Sequence, residues 1–396
     1  MEVRSDMVSG FQCGAVASGL KKSGDLDLGL IYSETPAAVA GVFTTNRVQA
    51  APVVLSRERI QSGHCRAVVV NSGNANCCNG DQGMADANAM TRMAAEALDI
   101  PESSVLAAAT GVIGQPMAME GVVSAIPALV NALSGEGWTD LARAIMTTDR
   151  VPKIISRSLP VGATQCTITA VAKGAGMIRP DMATMLCFVC TDAAAAPETL
   201  RQMLKTATDQ SFNRITIDGD TSTNDTVFLL AGGGCGARID QEPDAAGFQA
   251  VLNEMLAELA RMIVKDGEGA TKLVEIVVKG AASHADARKV ADTVAHSSLV
   301  KTALFGEDAN WGRIVAAVGR AGIPVQTKHI DVYFDKVQMV AGGLGAGADA
   351  EAGATEVIRQ SEFTITIDLN AGSQAAAVWT CDFSIDYVKI NADYRS

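Results

Sequence analysis

Residues Val171–Asp192 constrain the fold more than any other stretch of the chain. A glycine-rich turn, Lys173-Gly-Ala-Gly176, leads through Arg179-Pro-Asp181 to Ala183–Thr184, and an uncharged apolar run, Met185–Cys190, follows at once. Glycine gives the turn a conformational freedom that other residues lack, whereas the apolar run has to be buried. The chain must therefore deliver a flexible loop into an interior strand, with the Thr184 hydroxyl at the join. Cys187 and Cys190 are an odd number of residues apart, so on a strand they face opposite sides. Both read as core thiols rather than as a redox or zinc pair, and no second Cys-x-x-Cys accompanies them.

The rest of the chain alternates between two periods. Leu28–Tyr32, Ala37–Thr44 and Ala51–Leu55 read as strands. So do Ala67–Ser72, the stretch Ser156–Lys173, Arg214–Asp218, Thr226–Ala231, Leu273–Gly280, Ile330–Phe334, Phe363–Leu369 and Ala375–Phe383. Apolar residues at helical spacing place helices at Gly83–Leu98, Met119–Leu133, Pro197–Ala207, Asp244–Val264 and Ala285–Leu299, and Leu141–Met146 ends another. Pro127 interrupts the second of these. Ala341–Ala354, rich in Gly and Ala, reads as an exposed loop. Interleaved strands and helices indicate an α/β or α+β class. A Gly-rich turn after the longest helix divides the chain into residues 1–272 and 273–396.

Several function classes are disfavoured. The net charge of −12 argues against nucleic acid or an anionic membrane surface as partner. The N-terminus lacks the apolar core of a signal peptide, and no apolar run reaches membrane-spanning length. Nine cysteines at irregular spacing without an export signal then suggest reduced thiols in the cytoplasm. His64, His284, His296 and His329 share no motif, and no Gly-x-Ser-x-Gly elbow accompanies them. Gly174-x-Gly176 and Gly232–Gly234 complete no dinucleotide or phosphate-binding pattern. Asp218–Asp225 has the acidic spacing of a cation loop but lacks the closing bidentate glutamate, so calcium is not expected. This run, Asn71–Asn76 and Thr147–Asp149 fit turns as well as they fit a site.

Beyond local pattern, Lys173-Gly-Ala-Gly-Met177, Pro180 and Ala183-Thr-Met-Leu186 together resemble the signature of the ornithine acetyltransferase (glutamate N-acetyltransferase) family. So do Asn71–Asn76, Ala109-Thr-Gly-Val-Ile-Gly114, Met146-Thr-Thr-Asp149 with Pro152–Lys153, and Asp218–Asp225. Glu268-Gly-Ala-Thr-Lys272, Asp308-x-Asn-Trp-Gly-Arg313 and the C-terminal run Tyr387–Tyr394 complete a match that runs in order along the chain. One departure is Arg150, where the family pattern has a threonine.

The resemblance implies a layered αββα fold of the self-cleaving aminopeptidase type with a smaller C-terminal α+β domain. It implies a chain cut at Ala183–Thr184 into an α piece, Met1–Ala183, and a β piece beginning at Thr184, with an α2β2 assembly. Thr184 is then the nucleophile, and its freed α-amine, with an ordinary pKa of about 7.7–8.0, can serve as the base that takes the hydroxyl proton. Thr110 and the Gly111 N–H form the oxyanion hole. Lys173, Glu268, Asn391, Ser396 and either Thr147 or Thr148 contact substrate. The implied reaction moves acetyl from N2-acetyl-L-ornithine to L-glutamate in the cyclic arginine pathway. Acetyl-CoA is a further possible donor, and no metal or organic cofactor is implied. Two other readings share these residues: a self-cleaving aminopeptidase or amidase with water as acceptor, and an uncut binding protein for an acetylated amino acid.

Overall fold

The computed structural model describes residues 8–179 and 185–393; Ala183, Thr184 and Ser396 lie outside them. In chain order the strands are β1 (Phe11–Val16), β2 (Leu28–Phe43), β3 (His64–Asn74), β4 (Val105–Val112), β5 (Lys153–Val161), β6 (Thr164–Lys173), β7 (Leu186–Thr191), β8 (Ile215–Thr216), β9 (Thr226–Ala231), β10 (Leu273–Ala281), β11 (Asp331–Phe334), β12 (Val337–Ala341), β13 (Leu344–Gly345), β14 (Glu362–Asp368) and β15 (Gln374–Cys381). The helices are α1 (Ala51–Arg59), α2 (Gly80–Leu98), α3 (Met119–Asn131), α4 (Trp138–Ala144), α5 (Pro197–Gln210), α6 (Asp244–Lys265), α7 (His284–Ala295), α8 (Ser298–Phe305), α9 (Trp311–Gly319), α10 (Ala348–Ile358) and α11 (Ile385–Asp393). Among the described residues no helix is long and apolar enough to cross a membrane.

The chain packs as two units that part within α6. One holds the residues up to Asn213 together with Asp220–Ala260, the other Arg214–Gly219 and the residues from Arg261 on. The sequence-based division at 272/273 falls just beyond that helix.

The first unit is built on one sheet in the order β4-β3-β2-β9-β7-β6-β5, with β1 antiparallel to β2. Its bend lies in β2. Residues Leu28–Tyr32 of β2 pair with β3, the register breaks between Tyr32 and Ala37, and Ala38–Phe43 pair with β9. A strand that changes partners along its length turns the corner between two packed layers. The two halves share one core: Val68, Val70 and Leu106 from one half meet Val171, Phe188 and Phe228 from the other, with Trp138 and Leu141 of α4. On β3 the alternate residues Ala67 and Val69 face the other way, onto Met90 of α2 and Val122 and Ile126 of α3. β3 is thus buried on both faces, and each Val or Leu removed from water contributes about 1.5–3 kcal/mol. The αββα layering expected for the catalytic region is present.

Every residue of β7 is buried, as the Met185–Cys190 run requires. Cys187 and Cys190 are both fully buried, and burial raises both thiols far above their ordinary range. They are core residues.

In the second unit the sheet runs β13-β12-β11-β14-β10-β15-β8. Ile276, Val278, Ile365 and Ile367 pack on Val290 and Val294 of α7.

Several sequence-based elements differ. Ala51–Leu55 is the start of α1, not a strand. Pro52 occupies its first turn, where a fixed φ favours a helix. Ser56 Oγ donates to the Ala107 carbonyl at 2.7 Å and accepts from the Ala107 N–H at 2.8 Å, so α1 covers the edge strand β4. Ser156–Lys173 falls within the hairpin β5–β6, which turns at Gly162 with φ +59°. Ala285–Leu299 is split between α7 and α8, because the Ser297 side chain caps the second helix by accepting from Val300 N–H. The Gly/Ala stretch ends in α10 rather than in a loop, and its alanines favour the helix once Gly347 has started it.

Candidate active site

Because β2 folds the sheet over, the ends of β4 and β6 meet although four strands separate them in sheet order. Lys173, the last residue of β6, lies across from Leu186 of β7. Its Nζ donates to Thr147 Oγ1 at 2.7 Å and to Thr110 Oγ1, near the end of β4, at 3.3 Å. Three residues far apart in the chain are thereby brought together. Thr148, the alternative to Thr147, is half-buried. Arg150 is exposed.

An ammonium as buried as that of Lys173, 3% exposed, needs an anion close by. Asp149 supplies it. Its carboxylate accepts from Lys153 Nζ at 2.8 Å, from the Gly174 N–H at 2.7 Å and from the Thr147 N–H at 3.0 Å, and lies 3.9 Å from Lys173 Nζ. Burial alone would raise this carboxyl. The Lys173 and Lys153 ammonium groups, with the hydrogen bonds from Lys153 and Gly174, outweigh burial and hold it at about 2. The bond from Gly174 also fixes the first glycine of the glycine-rich turn.

Gly111 has φ +134°, and a Cβ there would come within 2.4 Å of the Gly73 carbonyl carbon. Only glycine lets the backbone of β4 approach β3 so closely. The Asn71–Asn76 block braces this region from within. Asn74 Oδ1 accepts from the Asn76 N–H at 2.7 Å, and Asn76 Nδ2 donates to the Gly83 carbonyl at 2.8 Å.

The polar bend 222–225 is a buried hub, not a surface turn. Asn224 Nδ2 donates to the carbonyls of Ala75 and Ala109 at 2.7 and 2.9 Å, which fixes the chain just before Thr110. Asp225 Oδ1 accepts from the Met185 N–H at 3.0 Å, and its Oδ2 accepts no hydrogen bond among the described residues. Complete burial pushes the Asp225 carboxyl well above its ordinary range, despite the Met185 N–H, the Lys173 charge and the nearby Thr44 and Ser222. Two carboxyls in one site are thus driven in opposite directions, Asp149 down and Asp225 up.

The second unit brings together two other predicted residues. Asn391 on α11 donates from Nδ2 to Glu268 Oε2 at 2.8 Å. Glu268 is buried on the turn after α6, and that turn is tied down by Asp382, which accepts from the Thr271 and Lys272 N–H groups at 2.8 and 2.9 Å. Gly269, φ +68°, leaves room for the Tyr387 N–H, which a Cβ would approach to 2.4 Å.

Reading the sequence for roles overlooked Asp149, Lys153, Asn224 and Asp225, although all four lie in the matched blocks. Asp149 and Lys153 are four apart but lie on a loop and a strand start, not a helix, so their spacing gave no ion-pair signal. For Asn224 and Asp225 the only signal was a dense polar run flanked by apolar strands.

The ArgJ family model matches residues 12–396. An arginine biosynthesis bifunctional protein ArgJ of Geobacter sulfurreducens is 55% identical over 391 residues, covering 98% of this chain and all of that protein. Its namesake in Syntrophotalea carbinolica is 52% identical over 391 residues, with coverage of 98% and 99%. Among solved structures, the arginine biosynthesis bifunctional protein argJ of Bacillus halodurans is 40% identical with a TM-score of 0.50, covering 52% of this chain and 98% of the solved one.

Proposed function

Since the chain belongs to the ArgJ family, we propose that it is an acetyltransferase of arginine biosynthesis that carries the acetyl group on Thr184. In this reading the peptide bond Ala183–Thr184 is cut first, freeing the Thr184 α-amine. The amine takes the proton of the Thr184 hydroxyl, and Oγ1 attacks the acetyl carbonyl of N2-acetyl-L-ornithine. The Thr110 hydroxyl and the Gly111 N–H receive the developing oxyanion, a contribution of about 10²–10³ in rate per donor. Collapse expels ornithine, which leaves with the proton. The amine of L-glutamate then attacks the acetyl ester, releasing N-acetylglutamate and restoring Thr184. Hydroxyl, amine and oxyanion donors supply every step, so no metal or organic cofactor is assigned.

The observation that carries the reading is the Lys173–Thr110–Thr147 contact set, anchored by Asp149. It joins a buried cation to two hydroxyls, and the Lys173 backbone pairs with Leu186, two residues after Thr184. Lys173 and Thr147 are assigned to the substrate, with Thr148 now the lesser choice. Glu268 is assigned to the substrate's amino end, and Asn391 and Ser396 to its contacts from the C-terminus. The finer assignments are acetyl-CoA as second donor, an α2β2 assembly and a cytoplasmic setting.

Intact mass and a denaturing gel test the cut: two pieces, Met1–Ala183 and Thr184–Ser396, are expected, and only the full-length precursor for Thr184→Ala. Both fragments in that variant would mean that another bond is cut. Ornithine release from acetylornithine should require glutamate; release indifferent to glutamate would replace transfer by hydrolysis. Formation of N-acetylglutamate from acetyl-CoA tests the second donor.

A further inference from the structure

The Gly232–Gly236 loop, which completes no nucleotide motif, is clamped onto the end of β7. The Gly232 and Cys235 N–H groups donate to the carbonyls of Thr191 and Asp192, both at 2.9 Å, and a Gly236-to-Gly233 hydrogen bond of 3.1 Å tightens the turn. The clamp brings Cys235 to Cys166 on β6, with the two sulfurs 2.8 Å apart. Elsewhere in the chain the adjacent Cys77 and Cys78 sulfurs keep an ordinary contact of 3.8 Å. Cys166 is fully buried, whereas Cys235 is half-exposed. The Asp192 carboxylate stands within 4.8 Å of both sulfurs, with Oδ1 accepting from the Thr167 N–H at 2.8 Å.

We propose that Cys166 and Cys235 are an oxidisable pair whose disulfide staples the two pieces of the cut chain to each other. Cys166 lies before the bond Ala183–Thr184 and Cys235 after it, so the staple between pieces rests on the cleavage reading, while the disulfide itself does not. The three donor atoms also suggest a cation site, but the spacing favours the disulfide. Two thiolates on a tetrahedral zinc, each at about 2.3 Å, sit about 3.8 Å apart, whereas a disulfide needs about 2.05 Å. At 2.8 Å the sulfurs are nearer the second value.

Burial, the Cys235 thiol and Asp192 push the Cys166 thiol up, so the half-exposed Cys235 is the group that reacts first. Its thiolate attacks a low-molecular-weight disulfide, R–S–S–R, and expels one RS⁻. Cys166 then attacks the Cys235 sulfur of the mixed disulfide and expels the second. The two cysteines are oxidised, R–S–S–R accepts the two electrons, and the two thiol protons leave with two RSH.

The test treats the purified full-length gene product with glutathione disulfide, blocks remaining thiols with N-ethylmaleimide, and compares reducing with non-reducing denaturing gels. Two bands are expected under reduction and a single band at the mass of the whole chain without it. Cys166→Ser and Cys235→Ser should each restore two bands without reduction, and Cys78→Ser should not. Should the reducing lane show uncut chain, the cleavage reading fails by itself, and peptide mapping still decides the pair: a linked Cys166–Cys235 peptide, lighter by the two lost hydrogens, supports it. Maleimide on both cysteines after oxidation would overturn the proposal. So would a cross-link that survives Cys235→Ser, or a tightly held zinc ion released only when these thiols are blocked.

Discussion

Replacing Asp149 with Asn keeps the shape of the side chain and removes the anion that Lys153 and Lys173 share. Both side chains of the Lys153–Asp149 pair are fully buried at 2.8 Å, so neither ammonium can turn to water instead. Removing one partner of a buried pair costs about 3–5 kcal/mol, because the remaining charge is left uncompensated. For a unit of this size, that corresponds to a fall in Tm of roughly 6–20 °C at pH 7. A separate route gives the same scale. Holding the carboxyl at about 2 against an ordinary 3.8 is worth about 2 kcal/mol of pH-dependent stability. The folded value is depressed, so this part is fully present above pH 3.8 and is lost as the pH falls toward 2. The assay is thermal unfolding followed by circular dichroism from pH 8 to pH 3, wild type against Asp149→Asn. The gap in Tm should stay constant down to pH 5 and narrow below about pH 4. Adding Lys153→Met to the variant returns the buried charge to a single cation and should recover part of the loss. A Tm within 2 °C of wild type at pH 7, or a gap that widens on acidification, would refute the reasoning.

Asp225→Asn is the opposite case. Burial pushes its carboxyl up, so this group's contribution to stability declines as the pH rises above its ordinary 3.8, and the amide should match or exceed wild-type Tm at pH 7 with the advantage fading toward pH 4; a large loss at pH 7 would refute the upward shift. Thr110→Ala should lower kcat for acetylornithine about 10²–10³-fold with little change in KM, and steady-state kinetics reads it directly. Gly111→Ala drives a Cβ to 2.4 Å from the Gly73 carbonyl carbon, so it should cost both activity and a Tm drop measurable by calorimetry, unlike Thr110→Ala, which should leave Tm nearly unchanged.

Much of the fold was legible because burial leaves a pattern. Thr226–Ala231 follows from an unbroken apolar run, the β10 strand from one interrupted only at Glu275 before Lys279, and the helix at Asp244 from its period. What local pattern could not supply is the bend in β2. Leu28–Tyr32 and Ala37–Thr44 read as two strands because the polar Ser33-Glu-Thr interrupts them, yet they form one strand whose two ends pair with different neighbours. That bend is what brings Lys173 to Thr110, so the site geometry was invisible to any reading confined to neighbours in sequence. The hub at Asn224 and Asp225 was hidden for a related reason: buried polar residues and turn residues have the same composition, and only their partners distinguish them.

The same bend explains how a cut at Ala183–Thr184 is compatible with an intact site. The bond lies after β6 ends at Lys173 and before β7 begins at Leu186, so cutting it removes no ladder hydrogen bond of either strand. On the proposed cut, the α piece would keep β1 to β6. The β piece contributes β7 and β9 as a parallel pair, inserted between β2 on one side and β6 on the other. Six register pairs join β6 to β7, from Ile168–Thr191 to Lys173–Leu186, and six join β2 to β9. Two pieces interleaved in this way are separable only by unpairing the centre of the sheet and exposing Phe188 and Phe228, both fully buried. Asp225 would belong to the β piece, and it holds the Met185 N–H, one residue past Thr184. Lys173, Thr110 and Asp149 belong to the α piece and are fixed to one another. Each side of a bond cut there would therefore carry its own anchor, and the amine freed under the proposed function would arise without loosening Lys173, Thr110 and Asp149.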